Sequence, residues 1–315
     1  MNIVIIGCGT MGTQHAHIAA AAGMRIVACA DIVNARAKAL ARQFDARVTK
    51  QCAAAIRRAD IDAIVVATPT PTHARYVLKA ARAGKDIFCE TPLARTVNKC
   101  REATDAAKKA RVKLFAPHPA RYAPPFVALH DQAESGKIGR PGFIRIHRGR
   151  PCPKGARNWY RDADQSGGVV LNDLIHDFDW VHSNFGPVKR VFCQTLPSAK
   201  RTNIDAALAT LTLASGAIAQ VIGSWAHDET DGVRVEICGD AGIAQFNNED
   251  IVLRAEAPSN SVDLVATSIL RSQWDEFIAW TKGKKPSVAP TDATAAVRIA
   301  TAALDSARTG KCIRL

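Results

Sequence analysis

Short apolar runs at 2–6, 25–30, 62–67, 86–89 and 112–116 alternate with stretches of helical periodicity at 12–22, 34–44, 51–58, 71–83 and 94–110. Alternation with short connections predicts a parallel sheet covered by helices on both faces. The run from Ile61 to Ala67 is almost wholly apolar, as for a strand buried on both sides. It stops at Thr68-Pro69-Thr70-Pro71, the carboxyl end of a strand, where ligands sit in open α/β sheets. After residue 117 the pattern changes. Pro119, Pro124 and Pro125 mark a crossing segment, a helix runs to about Ser135, and Phe143-Ile144-Arg145-Ile146 begins a new strand set. Close-spaced strand-like runs follow at 188–196, 206–214, 217–225 and 233–238, one pair joined by a tight turn at Ser215-Gly216. Such runs predict an antiparallel or mixed sheet. Helices are expected at about 268–282 and 291–308. The expected organisation is a doubly wound α/β domain over 1–118 and an α+β domain with a large open, mostly antiparallel sheet over 119–315.

The first strand ends in Gly7-Cys8-Gly9-Thr10-Met11-Gly12, a complete G-x-G-x-x-G that opens a helix. Gly7 permits the tight turn, Gly9 lets backbone approach a pyrophosphate, and Gly12 lets helix and strand pack closely. The helix N-terminus, at Thr10 and Met11, offers N–H groups and partial positive charge to phosphates. Asp31 closes the second strand at the distance expected of the carboxylate that accepts ribose hydroxyls. It favours NAD over NADP, with Arg36 close enough in sequence to keep NADP as the alternative.

Bulk properties restrict the field. The chain has 315 residues, 47% of them hydrophobic, enough for a sizeable core. No run reaches the length of a membrane span. Met1-Asn2 leads straight into an apolar strand without a basic leader, so a cytoplasmic protein is expected. The nine cysteines are odd in number, scattered and without C-x-x-C, the usage of free thiols in a reducing compartment; no metal site is expected. The formal charge of +13 is dispersed, with no basic tail and no basic run interleaved with aromatics, so nucleic acid is not the expected partner. The densest basic group is Arg145, Arg148, Arg150, Lys154, Arg157 and Arg161. It reads either as a solubilising surface or as a cationic rim for an anionic substrate.

Two places could supply acid/base chemistry. Glu90-Thr91-Pro92 follows a core strand directly; it is either a functional carboxylate or a strand end before a helix that starts at Pro92. Farther on, Leu171, Leu174, Ile175, Phe178 and Val181 form an apolar helical stripe. Asn172, His176 and Asp179 fall on a polar stripe, with Asp173 one step round. On an α-helix, Asn172 or Asp173 would reach the His176 imidazole across one turn. A histidine with an oriented polar neighbour suits general acid/base work, and a solvated helix face is the alternative.

Together these segments resemble the glucose-fructose oxidoreductase / inositol dehydrogenase (Gfo/Idh/MocA) family. The likeness runs through the glycine fingerprint, Ala67-Thr68-Pro69-Thr70-Pro71-Thr72-His73, Gly84 to Pro92, Arg121-Tyr122, Gly136-Lys137-Ile138-Gly139, Ser166-Gly167-Gly168 and His176-Asp177. It implies a Rossmann domain, a second domain whose open sheet forms dimers or tetramers, and hydride transfer to or from sugars, polyols or related ring hydroxyls. It adds Thr68, Pro69, His73, Glu90 and Thr91 to the cofactor residues Gly7, Gly9, Thr10, Met11, Gly12 and Asp31. It implies His176 as acid/base, with Asn172, Asp173 and Thr91 at catalytic positions, and Arg121, Arg157 and Trp159 as candidate substrate contacts.

Two departures stand at catalytic positions: Thr91 replaces the lysine of Glu-Lys-Pro, and Asn172 replaces an aspartate. A neutral hydroxyl cannot do an ammonium's work, and an amide accepts no proton. Loss of an acid/base group costs about 10²–10⁴-fold in rate. Either His176 carries the proton alone, or the substrate hydroxyl is an acidic one such as a lactol's, or turnover has been lost. The expected function is thus an NAD(P)-dependent dehydrogenase. The alternatives are a nucleotide-binding sensor or regulator with an eroded site, and a glycosidase that uses tightly held NAD.

Overall fold

A computed structural model of the chain describes residues 1–196, 205–226, 232–247, 250–251 and 262–315. Contacts group these residues into two compact units. One is Met1–Pro117 with Asp263–Thr294; the other is His118–Val262 with Ala295–Leu315.

The first unit is built on six parallel strands: β1 (Asn2–Ile6), β2 (Arg25–Ala30), β3 (Arg47–Val48), β4 (Ala63–Val66), β5 (Asp86–Cys89) and β6 (Leu114–Phe115). Their order is β3-β2-β1-β4-β5-β6, so the sheet reverses direction of growth between β1 and β4. That switch point places the β1 and β4 carboxyl ends side by side, with Ile6 opposite Val66. The connecting helices are α1 (Thr10–Ala21), α2 (Asn34–Gln43), α3 (Cys52–Ile56), α4 (His73–Arg82) and α5 (Val97–Ala110). Ile3, Val4, Ile5, Ile64 and Val66 are essentially inaccessible, as strands covered on both faces require.

A partition at 118/119 does not capture where Asp263–Thr294 goes. Helix α9 (Val262–Thr281) stacks Trp274 on Phe88 with ring centroids 4.8 Å apart and sets Phe277 edge-on to it at 5.6 Å. Phe115 packs on Phe88 and Phe277 at 5.5 and 5.9 Å. A run of aromatics is what draws this late segment into the first unit, since each buries a large apolar area.

The second unit opens with a 3₁₀ turn at Pro119–Tyr122, followed by α6 (Pro124–Glu134) and β7 (Pro141–Gly149). Another 3₁₀ turn (Ala156–Arg161) and α7 (Ala163–Ser166) lead into a π-helical turn at Val170–Leu174, which runs on as α8 (Ile175–Phe185). The remaining strands are β8 (Val188–Leu196), β9 (Ala206–Leu213), β10 (Ile218–Ser224), β11 (Gly232–Gly239), β12 (Ile243–Asn247) and β13 (Asp250–Ile251). After α9 come α10 (Pro290–Thr309) and β14 (Ile313–Arg314). The sheet order is β13-β12-β11-β7-β10-β9-β8-β14. Among the described residues of this sheet, β7 and β10 pair in parallel and the other neighbours pair antiparallel. Strand β9 alternates buried and half-buried positions residue by residue, so one face of the sheet lies on the helical layer.

Candidate functional site

The first unit carries the glycine loop as expected. Gly7 takes φ +93°, and a Cβ there would run into the Ala67 carbonyl. A Cβ on Gly12 would run into the Gly7 carbonyl. Both glycines are demanded by the protein's own packing. Gly9 differs: a Cβ there would meet only the Arg36 Nη1, 4.0 Å away. The space beside Gly9 is kept open at no packing need of the protein, and it lies at the N-cap of α1, where the first helical N–H groups have no carbonyl partner. Thr10 and Met11 are exposed there. Asp31 is aimed by two backbone donors, the Cys8 and Val33 N–H groups, each 2.7 Å from a different carboxylate oxygen. An open cradle beside backbone donors, with an oriented carboxylate across it, fits a dinucleotide.

Glu90 follows β5. Its Oε1 lies 2.6 Å from His15 Nε2, and its Oε2 accepts the Thr91 N–H at 3.3 Å. The other ring nitrogen of His15, Nδ1, accepts the Trp274 indole N–H at 3.1 Å. An indole nitrogen can only donate, so Nδ1 holds the lone pair and Nε2 carries the proton given to Glu90. Burial alone would push the Glu90 carboxyl up, but the hydrogen bond from His15, with His73 and the Thr91 N–H, outweighs it, holding it below the usual range. His15 was absent from the sequence reading; a buried histidine on a helix face of alanines and Ile18 was its only signal.

His73, expected at the cofactor, is 1% exposed and bridges two backbone carbonyls instead. Nε2 is 2.5 Å from Thr68 O and Nδ1 is 2.8 Å from Pro92 O. The ring lies between the ends of β4 and β5, and in its neutral form it donates its one N–H to one of the two carbonyls. Thr68 Oγ1 accepts the Thr72 hydroxyl at 2.7 Å; Thr68, Pro69 and Thr91 are each half-buried.

In the second unit three buried aspartates from one helical segment each meet an arginine. Asp173 pairs with Arg150 and also accepts the Trp225 indole N–H at 2.7 Å. Asp177 takes Arg148 through both oxygens at 2.5 and 3.0 Å, and Asp179 takes Arg121 at 2.6 and 2.7 Å. Three of the six basic residues read as a rim are thus matched by carboxylates, since Arg145 also meets Glu236 at 3.0 Å. Arg121, a candidate substrate contact, commits two of its N–H groups to Asp179. Trp159 packs against Tyr160 with the rings inclined at 31°, and Tyr160 stands edge-on to Trp225. Arg157 sits on the 3₁₀ turn, and its side chain lies outside those described.

The expected side-chain contact of Asn172 or Asp173 with His176 is not made; Asn172 meets the ring through its backbone carbonyl. Asn172 Nδ2 donates to the carbonyls of Ser166 and Gly168 at 2.8 and 2.9 Å, and Asp173 is turned to Arg150. The reason is the π turn: its wider i→i+5 bonding rotates residues 170–174 off the positions that α-helical spacing assigns them. The imidazole's partner is His118, with Nδ1 to Nδ1 at 3.1 Å and the rings inclined at 65°. Burial, then His118, Arg148 and Arg150, hold His176 well below the usual histidine range, against the opposing pull of the Asn172 carbonyl. Its ring is neutral at neutral pH. Among the described residues no cluster of three or more metal-ligating side chains occurs, and no helix is long and apolar enough to cross a membrane.

Comparison with known proteins places these features in context. Two family models match the chain. One, described as an oxidoreductase family with an NAD-binding Rossmann fold (GFO/IDH/MocA), covers residues 1–118; the C-terminal domain of the same group covers residues 126–245. An uncharacterized oxidoreductase of Bacillus subtilis, YrbE, is 33% identical over 256 residues, 78% of this chain and 73% of that protein. Inositol 2-dehydrogenase of Rubrobacter xylanophilus is 30% identical over 274 residues, 82% of this chain and 75% of that protein. Among solved structures, a putative myo-inositol dehydrogenase from Sinorhizobium meliloti is similar with a TM-score of 0.85 and 27% identity, over 100% of this chain and 99% of that one.

Proposed function

The chain belongs to the GFO/IDH/MocA family of NAD-binding oxidoreductases, and from that premise we propose that it oxidises a ring hydroxyl of a sugar, polyol or lactol, with His176 as the proton acceptor. The observation that carries this reading is the state of His176. It is a neutral imidazole at the start of α8, aimed by another histidine rather than tied to a carboxylate. A neutral imidazole can take a hydroxyl proton, and its low basicity suits the more acidic hydroxyls, a lactol's above an alcohol's.

The first unit supplies the cofactor residues. Gly9 and the α1 N-terminus face the pyrophosphate, Asp31 receives the ribose hydroxyls, and Glu90 receives hydroxyls of the second ribose. Bound there, NAD would supply the acceptor for the carbinol hydrogen and its electron pair. The tautomer of His15 keeps Glu90 an acceptor, which is the form a ribose hydroxyl needs. Similarity to inositol 2-dehydrogenases favours cyclic polyols at the head of the substrate list. Assembly through the second sheet, as a dimer or tetramer, belongs to the same reading.

The test is NADH formation, followed at its near-ultraviolet absorbance, across inositols, aldoses, lactols and sugar acids. Turnover on at least one cyclic hydroxy compound is expected, with a fall of about 10²–10⁴-fold in kcat for His176→Ala and unchanged NAD affinity. NAD binding without turnover on the whole panel would overturn the dehydrogenase reading in favour of a regulator. Product formation without net NADH would favour the glycosidase.

A further inference from the structure

A base of the His176 kind works only if its ring proton is held on the correct nitrogen. In this chain the carboxylates around it are already engaged: Asp173 by Arg150 and Trp225, Asp177 by Arg148, and Asp179 by Arg121. Asn172 is engaged by the Ser166 and Gly168 carbonyls. Two groups do meet the ring: the Asn172 backbone carbonyl, which can only accept, and His118, wholly buried at the entry to the Pro119–Tyr122 turn, nitrogen to nitrogen at 3.1 Å. Two ring nitrogens at that distance cannot both carry hydrogen. One donates and the other accepts, so the contact holds one proton.

We propose that His118 is the positioning residue of this reaction: its Nδ1 lone pair accepts the Nδ1–H of His176, which leaves His176 Nε2 unprotonated and able to take the substrate's hydroxyl proton. The inference rests on the dehydrogenase reading and extends it to a residue outside the family resemblance. The balance is closed. The hydroxyl O–H bond breaks and its proton goes to Nε2, while the carbinol hydrogen departs with its electron pair as in the proposed oxidation. The oxygen's electrons form the carbonyl. His176 is then an imidazolium that still gives Nδ1–H to His118, and it returns its extra proton to water. In the reductive direction the same contact holds the same proton.

The opposite arrangement, with His118 as donor, would place the His176 proton on Nε2 and block it as a base. The surroundings favour a neutral acceptor there. The positive charges of Arg148 at the end of β7 and Arg150 just after it act on the ring through space, while Asp173 and Asp177 on its own segment are paired with those two arginines. A neutral partner leaves His176 a weak base, consistent with its depressed pKa, where a carboxylate would raise it.

Three variants decide it. In His118→Phe the acceptor is lost, in His118→Gln a carbonyl oxygen can replace it, and in His118→Asp a charge is added. Expected are a fall of about 10²-fold in kcat for His118→Phe with little change in KM, and substantial rescue by His118→Gln. For His118→Asp the acid limb of the pH–rate profile should move upward by about one unit. Equal loss in His118→Phe and His118→Gln, or full activity and an unmoved profile in His118→Phe, would overturn the proposal. The second readout needs no turnover: ¹⁵N imidazole shifts of the intact protein, with NAD affinity as a control for folding. Wild type should show His176 protonated at Nδ1 and bare at Nε2, and His118→Phe should lose that preference. If wild type oxidises nothing on the panel, the dehydrogenase reading fails by itself, and the shifts still decide the dyad; a His176 proton on Nε2 would overturn it.

Discussion

The Trp274 indole N–H donates to Nδ1 of His15 at 3.1 Å, and by doing so it dictates which end of the imidazole meets Glu90. The relationship spans 259 positions of sequence, yet all three residues lie in the first unit. Trp274→Phe keeps an aromatic ring against Phe88 and removes only the donor. The expected result is a loss of about 1 kcal/mol in stability and a roughly fivefold rise in the NAD Kd, read by calorimetric titration. An unchanged Kd would show that the tautomer of His15 has no bearing on cofactor binding.

His15→Phe acts on the acid side. The Glu90 carboxyl is held low in the folded protein, so its contribution to stability is present above the unfolded value near 4.3 and is lost as pH falls through the folded one. Without the His15 bond that contribution disappears. The gap in Tm between wild type and His15→Phe should therefore be full at pH 6–7 and shrink below about pH 4.5. A gap independent of pH would assign the loss to packing alone.

Gly9 and Gly12 should part company when each becomes alanine. Gly12→Ala drives a methyl into the Gly7 carbonyl and should destabilise the fold by several kcal/mol, seen as a lowered urea midpoint. Gly9→Ala meets open space, so its stability should stay within about 0.5 kcal/mol of wild type. Its NAD Kd should nevertheless rise at least about tenfold, because the methyl occupies the cradle.

Asp31→Ser tests the coenzyme preference. The carboxylate that repels a 2′-phosphate is removed, while Arg36 remains beside the Gly9 cradle. The ratio of kcat/KM with NAD to that with NADP should fall at least about tenfold. An unaltered ratio would place the discrimination elsewhere.

Asp205 stands over Gly168 and accepts the Val169 N–H at 3.2 Å, where burial, partly opposed by that N–H, pushes its carboxyl up to about 6. A raised carboxyl favours the folded state most when protonated. Its contribution is full below the unfolded value near 3.9 and is lost as pH rises through about 6. Asp205→Asn removes the titration and can keep the bond to Val169. The variant should gain up to about 2 kcal/mol on wild type at pH 8 and nothing at pH 4, by denaturant midpoints at the two pH values.

Much of the first unit was legible in the sequence, and the physical reason is local. A strand, a tight turn and a helix N-terminus lie within residues 2–21, so the fingerprint and its geometry are written in adjacent residues. What escaped depends on distant partners or on backbone form. His118 and His176 are 58 residues apart, and a lone histidine in a proline-rich crossing carries no pattern. Trp274 reads as one more apolar position in a helix until it is seen against Phe88. The π turn has an apolar stripe that an α-helix would share, so helical spacing assigned Asn172 and Asp173 to the wrong neighbours. Short strands such as β3, β13 and β14 offer two residues each, too few for a period to register.

The return of α9 to the first unit has a consequence for how the protein is made. When the ribosome has finished β6, the sheet exists but Phe88 and Phe115 still lack the aromatic cover that Trp274 and Phe277 provide. About 160 further residues must be synthesised before that cover arrives, a delay of roughly ten to thirty seconds at ordinary elongation rates. The amino-terminal third therefore waits, with an open apolar face, for the last fifth of the chain. A truncated product ending before α9 would leave the tunnel as an aggregation-prone fragment, and not as a small nucleotide-binding protein in its own right.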